Sequence, residues 1–383
     1  MRVAFYAPMK APNDPVPSGD RKIARLFLQA LGDGGHVMEL ASGFRSWEGA
    51  GDSARQRRLH DIGARIAQRL VRRYRALPPA RRPEAWFTYH VYHKAPDWIG
   101  PPVSEALGIP YVVAEASYAP KQAGGPWDIG HQAAARAISR SAAILALNSN
   151  DIPCVLPLLD NPRRLIPMRP FLDTREYPAR NGSEPERSAL SRRFNVAADC
   201  PWLLTVAMMR YGNKLACYRL LADALRSIRE PRMVALLVGD GPARADVEAA
   251  FAGIGQHHIV FAGLQPQDML KNFFAAADLF AWPAVDEPFG MALLEAQTAG
   301  LPVVAGRSRG VPDIVRDQVS GVLVPPGKVD AFAQALVSLL DSPKRLRAMG
   351  SAARATAVRD HDISTATKTL NRVLEQVRAG VVP

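Results

Sequence analysis

The sequence predicts an α/β protein built as two doubly wound, mostly parallel sheets, each in its own domain. Three observations carry this. Short apolar, β-rich runs alternate with helical stretches through both halves of the chain. A proline-dense stretch, 167–201, containing Pro170, Pro178, Pro185 and Asn181-Gly182, separates the halves. At 383 residues the chain is long enough to bury two cores. The expected organisation is a first domain over 1–170, a linker over 171–200, a second domain over 201–360 and a closing helical segment over 361–383.

In the first half, strands are expected at 2–6, 36–41, 84–89, 110–114, 143–147 and 164–167. Helices are expected at 20–31, 97–107 and 128–139. The loop before the first helix carries Lys10, Asn13, Asp14, Ser18 and Gly19, ordinary turn chemistry. It lacks the Gly-x-Gly-x-x-Gly that a nicotinamide or flavin enzyme would place there, which argues against a dehydrogenase. Residues 55–82 hold ten arginines and a single acid, Asp61. Leu59, Ile62, Ile66, Leu70 and Tyr74 recur among them at helical spacing. This predicts a helix with one packed face, whose remainder is either a solvated basic surface or a dock for an anionic membrane. His90 and His93 fall just past one strand, and Glu115 and Ser117 at the end of the next. The C-terminal rim of an α/β sheet is where such folds bind ligands, so these four are candidate ligand-contacting residues.

In the second half a strand at 202–207 leads into Arg210 and Lys214. Another ends at Val238-Gly239-Asp240-Gly241-Pro242, and a third near Phe261-Ala262-Gly263-Leu264. A buried strand over 278–282 then opens into Asp286-Glu287-Pro288-Phe289-Gly290-Met291, followed by a helix, Gly300 as its C-cap, and a further strand at 302–305. Phe289, Gly290 and Met291 are expected to form the first helical turn. Free amides there, at the positive end of the helix dipole, suit phosphate oxygens. Glu287 precedes that turn and Glu295 follows eight positions later, a little over two turns along. Further helices are expected at 330–340 and 363–378.

The run strand, Glu287, Phe289-Gly290, Leu294-Glu295-Ala296, Gly300, Pro302-Val303-Val304-Ala305 resembles the Glu-x7-Glu signature of retaining glycosyltransferases with the GT-B fold, family 4 in particular. The resemblance covers nearly the whole second half, and 306–313 and 321–327 continue it. It implies two Rossmann-like domains facing a cleft, with the C-terminal helix crossing back to the first. It also implies transfer of a sugar from a nucleoside-diphosphate sugar to an acceptor hydroxyl, with retention. In such enzymes the first Glu touches the donor sugar and the second the ribose, so Glu287 and Glu295 take those roles. Phe289, Gly290 and Met291 would hold the diphosphate. Arg210 and Lys214 match the family's diphosphate-binding cations, although Met209 stands where the family carries Gly. Gly239 and Leu264 would line the nucleotide, and Gly19 is the one match to the donor-side loop of the first domain. Where many relatives carry a His, this chain has Glu115 and Ser117. No metal and no other cofactor is implied; the co-substrate is the nucleotide sugar.

Composition narrows the rest. Hydrophobic content of 48% with 22% charged residues is ordinary for a globular chain. Cys154, Cys200 and Cys217 lack metal-ligand spacing and suggest a reducing compartment. The chain enters its first strand at once, and no apolar run reaches the ~20 residues of a membrane span. The expectation is a cytoplasmic protein, peripheral on the inner face of the cytoplasmic membrane if residues 55–82 dock there. The net charge of +12 calls for anionic partners. Donor phosphates and an anionic membrane surface fit, with a sugar or lipid-linked acceptor. Nucleic acid does not, because no aromatic platform accompanies the arginines. Asp360-His361-Asp362 has the form of a metal motif but precedes a helix, where Asp362 or Ser364 is a natural N-cap. The rival functions are a non-catalytic sugar-nucleotide-binding relative and a GT-B phosphorylase or epimerase.

Overall fold

The computed structural model describes residues 1–16, 18–177, 184–255 and 257–383. The chain forms two compact units, Met1–Arg169 with Ile363–Pro383, and Pro170–Asp362.

The first unit is a six-stranded parallel sheet. Its strands are β1 (Arg2–Tyr6), β2 (Val37–Ser42), β3 (Ala85–Val91), β4 (Tyr111–Ala116), β5 (Ala143–Ala146) and β6 (Leu165–Pro167), in the spatial order β2-β1-β3-β4-β5-β6. Its central strands are apolar on both faces, as a sheet covered by helices on both sides requires; all six residues of β4 are buried. Ser18 caps the first helix, Gly19–Asp33, accepting a hydrogen bond from the Arg21 amide. The arginine-rich segment forms a 24-residue helix, Ser53–Ala76, capped by Asp52. Of its expected apolar stripe, Leu70 and Tyr74 enter the core, while Leu59, Ile62 and Ile66 are half-buried. Arg81 and Arg82 lie beyond this helix, in and after the 3-10 turn Pro79–Arg81. The last helix, Ile363–Arg378, belongs to this unit and packs on Gly19–Asp33. Asn371 bonds His36 at 2.9 Å and Thr367 bonds the Ala30 carbonyl at 3.1 Å.

The second unit is again six parallel strands: β7 (Trp202–Val206), β8 (Val234–Val238), β9 (His258–Gly263), β10 (Leu279–Trp282), β11 (Val303–Gly306) and β12 (Gly321–Val324). Their order is β12-β11-β10-β7-β8-β9, so the winding reverses between β7 and β10. The stretch expected to be a linker, 171–200, is instead part of this unit. Phe171, Leu172, Tyr177 and Leu190 are buried, and Glu184–Phe194 is a helix. Arg187 of that helix pairs with Asp278 at 2.9 Å and reaches the Cys200 carbonyl at 2.6 Å. Prolines mark turns but do not report the apolar anchors between them. Pro185 sits in the helix's first turn, where it costs no hydrogen bond. Pro178 and Asn181-Gly182 lie outside the described residues.

Candidate functional site

In a doubly wound sheet the ligand crevice lies beyond the strand C-termini where the winding reverses. In the second unit that point falls between β7 and β10. The loop after β7 carries Arg210 and leads into the helix Asn213–Ser227, with Lys214 in its first turn, and the loop after β10 carries Glu287. The loops meet. Lys214 Nζ lies 2.5 Å from Glu287 Oε2 and 5.0 Å from the Trp282 ring centroid. Trp282 Nε1 donates to the same carboxylate oxygen at 3.0 Å, and the Glu287 amide reaches Ser308 Oγ at 3.2 Å. Asn213 donates to Asp286 at 2.8 Å, and Arg309 pairs with Asp286. Glu287 is thus held from three sides with its side chain 12% exposed, while Arg210, four residues before Lys214, is exposed. Ala284 and Asp286 both take left-handed φ (52° and 54°), a strained conformation of the kind that clusters at functional loops.

The helix after this loop begins at Met291 and ends at Thr298. Phe289 and Gly290 therefore do not form its first turn. Gly290 is the N-cap at φ 75°, and a Cβ there would fall 2.6 Å from Leu293 Cδ1. Glycine is required at this position by backbone conformation, not only by ligand approach. Phe289 is buried. At the other end Gly300 adopts φ 85° and the Leu301 amide bonds the Ala296 carbonyl, the expected glycine C-cap. Glu295 lies inside the helix, 8% exposed, and accepts a hydrogen bond from the Tyr177 hydroxyl at 3.1 Å.

Gly239 and Gly241 work as scaffold. Their φ values are 141° and 154°, and added Cβ atoms would lie 1.9 Å from the Ala207 carbonyl and 2.3 Å from the Met209 carbonyl. The β8 loop thus crosses directly against the β7 loop, tied by Met209 N to Asp240 O (2.9 Å) and Ala243 N to Met209 O (2.9 Å). That crossing fixes where Arg210 starts. Leu264, just after β9, is 67% exposed.

The first unit's winding reverses between β1 and β3. His90 sits near the end of β3 with φ 66° and its Nδ1 3.0 Å from Asp20 Oδ1; Glu115, in β4, has φ 62° and is 4% exposed. Burial alone would lower the His90 pKa, but the Glu115 and Asp20 carboxylates hold it up at about 9. Burial pushes Glu115 up to about 8 against the pull of His90. His90 thus pairs with Asp20, and Oε2 of the neighbouring, buried Glu115 has no protein hydrogen-bond partner. Ser117 Oγ donates to Asp151 at 2.8 Å. His93 stands apart: burial and Lys94 bring its pKa down to about 4, and its ring meets Trp127 edge-on at 5.8 Å. Gly19 is the first residue of its helix, with open space where a Cβ would be.

Sequence reasoning missed Asp20, Asp151, Tyr177, Trp282 and Ser308. Asp20 reads as an ordinary first-turn acid and Trp282 as an apolar strand residue, while Asp151, Tyr177 and Ser308 lie far in sequence from what they orient. In Asp360-His361-Asp362, Asp360 pairs with Arg316 (2.8 Å), His361 Nδ1 bonds the Pro170 carbonyl and Asp362 takes the Thr174 hydroxyl. Among the described residues no cluster of His, Cys, Asp and Glu has metal-binding geometry.

Two doubly wound units, each a parallel six-stranded sheet, have the two-domain α/β architecture seen in GT-B glycosyltransferase structures. HepE of Anabaena, solved with UDP and glucose, overlays with TM-score 0.73 at 17% identity, covering 98% of this chain and 99% of that one. WaaG, a glycosyltransferase involved in lipopolysaccharide biosynthesis, gives 0.67 at 17% identity over 97% and 99%. At such identity the likeness establishes the fold alone. More particularly, the second unit carries the domain described as glycosyl transferases group 1, matched over residues 200–342. Sulfoquinovosyl transferase SQD2 of Arabidopsis thaliana is 32% identical over 186 residues, 48% of this chain and 34% of that protein. The D-inositol 3-phosphate glycosyltransferase of Segniliparus rotundus is 42% identical over 118 residues, 31% and 26% respectively. The chain spans about a third or less of the length of these curated relatives.

Proposed function

We propose that this chain is a retaining glycosyltransferase of the family 4 type. It moves a sugar from a nucleoside-diphosphate sugar to an acceptor hydroxyl in glycan, polysaccharide or glycolipid synthesis. The observation that carries the reading is the Lys214–Glu287 contact at the winding reversal of the second sheet. An ammonium has three donors, and Glu287 uses one, leaving others for phosphate oxygens. With Arg210, it neutralises the charge that grows on the departing nucleoside diphosphate, an interaction worth most in the transition state. This charge neutralisation takes the place of a metal ion. Glu287 binds donor-sugar hydroxyls, Glu295 the ribose, and the amides from Phe289 to Met291 the diphosphate. Gly239 and Leu264 border the nucleotide. On the acceptor side, Glu115 offers its unpartnered oxygen to a hydroxyl, flanked by His90 and Ser117, with His93 further out. The arginines of Ser53–Ala76 hold the enzyme electrostatically to an anionic cytoplasmic leaflet, where a lipid-linked acceptor would lie.

The test is a thermal-shift panel of UDP, GDP, ADP and their sugars, followed by product analysis with the stabilising donor. A ligand at ~100 times its Kd adds about 2.7 kcal/mol and raises the melting temperature by several degrees. Product whose new bond keeps the donor's anomeric configuration, formed equally with EDTA, is the expected result. Inversion, strict dependence on Mn or Mg, or sugar phosphate formed only with added phosphate would overturn the reading. Donor binding without turnover would mark a non-catalytic relative.

A further inference from the structure

One side of the Ser53–Ala76 helix borders a groove of about 690 Å³ in the first unit, completed by helices Gly100–Leu107 and Asp128–Arg140. Its lining is mainly apolar in area, with Ala64, Val71, Trp98, Pro101, Ala133 and Ala137, and Asp97 also lines it, bonded to Thr88 and Tyr111. Gly63 lets the long helix settle onto Trp98, since a Cβ there would fall 2.4 Å from the Trp98 Cβ. Trp98 is 7% exposed, and its indole Nε1 has no hydrogen-bond partner. The edges of the groove are cationic. Arg72 on the long helix and Arg136 on the third are exposed and without ion-pair partners among the described residues. Arg58, Arg65 and Arg69 precede Arg72 at intervals of seven, four and three residues, so the four share one helical stripe beside the groove. They too are exposed and have no ion-pair partner among the described residues, and Asp61, the helix's one acid, lies against His60.

An apolar cleft bordered by unpaired guanidinium groups fits a ligand whose hydrocarbon part continues directly into an anion. We propose that this groove is a binding site for an anionic phospholipid, one acyl chain entering it against Trp98 and the phosphate held by Arg72 and Arg136. Guanidinium forks suit phosphate oxygens bidentately, and the remaining arginines of the stripe face neighbouring headgroups. The proposal rests on the peripheral docking suggested above and deepens it, turning a diffuse attraction into a site with a chain pocket. It also favours a lipid over an acidic peptide. The apolar part of the lining is mostly small Ala and Pro side chains, and the charge runs as a stripe along the helix, the complement of a planar leaflet.

The experiment uses the full chain with phosphatidylcholine vesicles that contain or lack phosphatidylglycerol brominated along its acyl chains. Fluorescence quenching and co-sedimentation are read on the same samples. The expected result is quenching by brominated phosphatidylglycerol that disappears in Trp98→Phe, locating the bromines at that indole. Ala106→Phe, at a half-buried position lining the groove, should also remove the quenching while leaving low-salt sedimentation in place. Arg72→Gln with Arg136→Gln should weaken partitioning about thirtyfold, two basic contacts with an anionic surface. Sedimentation without any Trp98-dependent quenching overturns the chain pocket yet leaves electrostatic docking standing. No sedimentation with either vesicle overturns both. Equal displacement by polyglutamate and by anionic vesicles assigns the groove to an acidic protein partner and overturns the lipid site.

Discussion

Replacing Lys214 by Ala separates two things its contact with Glu287 does. The ammonium lies 2.5 Å from a carboxylate whose side chain is 12% exposed, while Lys214 itself is 35% exposed. Removing it leaves Glu287 largely desolvated, with the Trp282 indole N–H as its remaining side-chain donor in the pair's surroundings. A buried group that loses its partner costs about 1–3 kcal/mol, tempered here by the water that reaches Lys214. For a protein of this size that lowers the melting temperature by several degrees. Turnover should fall roughly 10²-fold or more, about 2.7 kcal/mol of transition-state stabilisation. The two losses respond differently to a second change. Glu287→Gln on the Lys214→Ala background removes the stranded charge, so stability should recover by about 1–2 kcal/mol while turnover does not. The assay is a double-mutant cycle in urea, run beside nucleoside-diphosphate release under saturating donor. Strictly additive stabilities would show that the contact carries no energy. Turnover of Lys214→Ala within about threefold of the parent would remove the cation from the mechanism.

Two further outcomes follow from the same geometry. Glu295→Ala should weaken free nucleotide and nucleotide sugar alike, and Tyr177→Phe, which removes the 3.1 Å bond orienting that carboxylate, should do so more mildly; Glu287→Ala should weaken only the sugar form. Calorimetric titration with each ligand checks this, and equal loss of both ligands in Glu287→Ala would refute the division. The His90–Asp20–Glu115 group makes stability fall as pH rises. The folded His90 pKa, about 9, lies above its unfolded value, so its contribution is complete below about 6.5 and lost through 9. Glu115 works in the same direction, since the folded protein keeps its proton up to about 8 while the unfolded chain releases it near 4.5. Urea midpoints measured between pH 6 and 9.5 should decline, and His90→Gln with Glu115→Gln should flatten the curve. A parent that gains stability over that window would contradict the assignment.

Much of the architecture was legible because a parallel sheet covered on both faces writes itself as short apolar runs. β4, β8 and β10 are buried along their whole lengths. The Glu287–Glu295 element was legible for a different reason: its glycines are compelled by backbone conformation, Gly290 at one end of the helix and Gly300 at the other. What stayed hidden was set by distant packing. No periodicity announces that Tyr177, 118 positions away, bonds Glu295. Nor does local sequence show that 171–200 is anchored by Phe171, Leu172 and Leu190, because turn-rich composition looks alike in a tether and in a packed loop. Likewise His90 and Glu115 were visible as residues at strand ends, but their left-handed φ and the Asp20 carboxylate that meets His90, 70 positions away in sequence, were not.

The return of Ile363–Arg378 to the first unit sets an order of events in the life of the chain. The sheet β1 to β6 is synthesised first, yet the helix that covers Gly19–Asp33 is made last, more than 300 residues later. The intervening unit is continuous from Pro170 to Asp362 and can close its own core as soon as it emerges. The first unit gains the bonds from Thr367 to the Ala30 carbonyl and from Asn371 to the Gly34 carbonyl only when that helix arrives. The unit synthesised first is therefore the last to be finished.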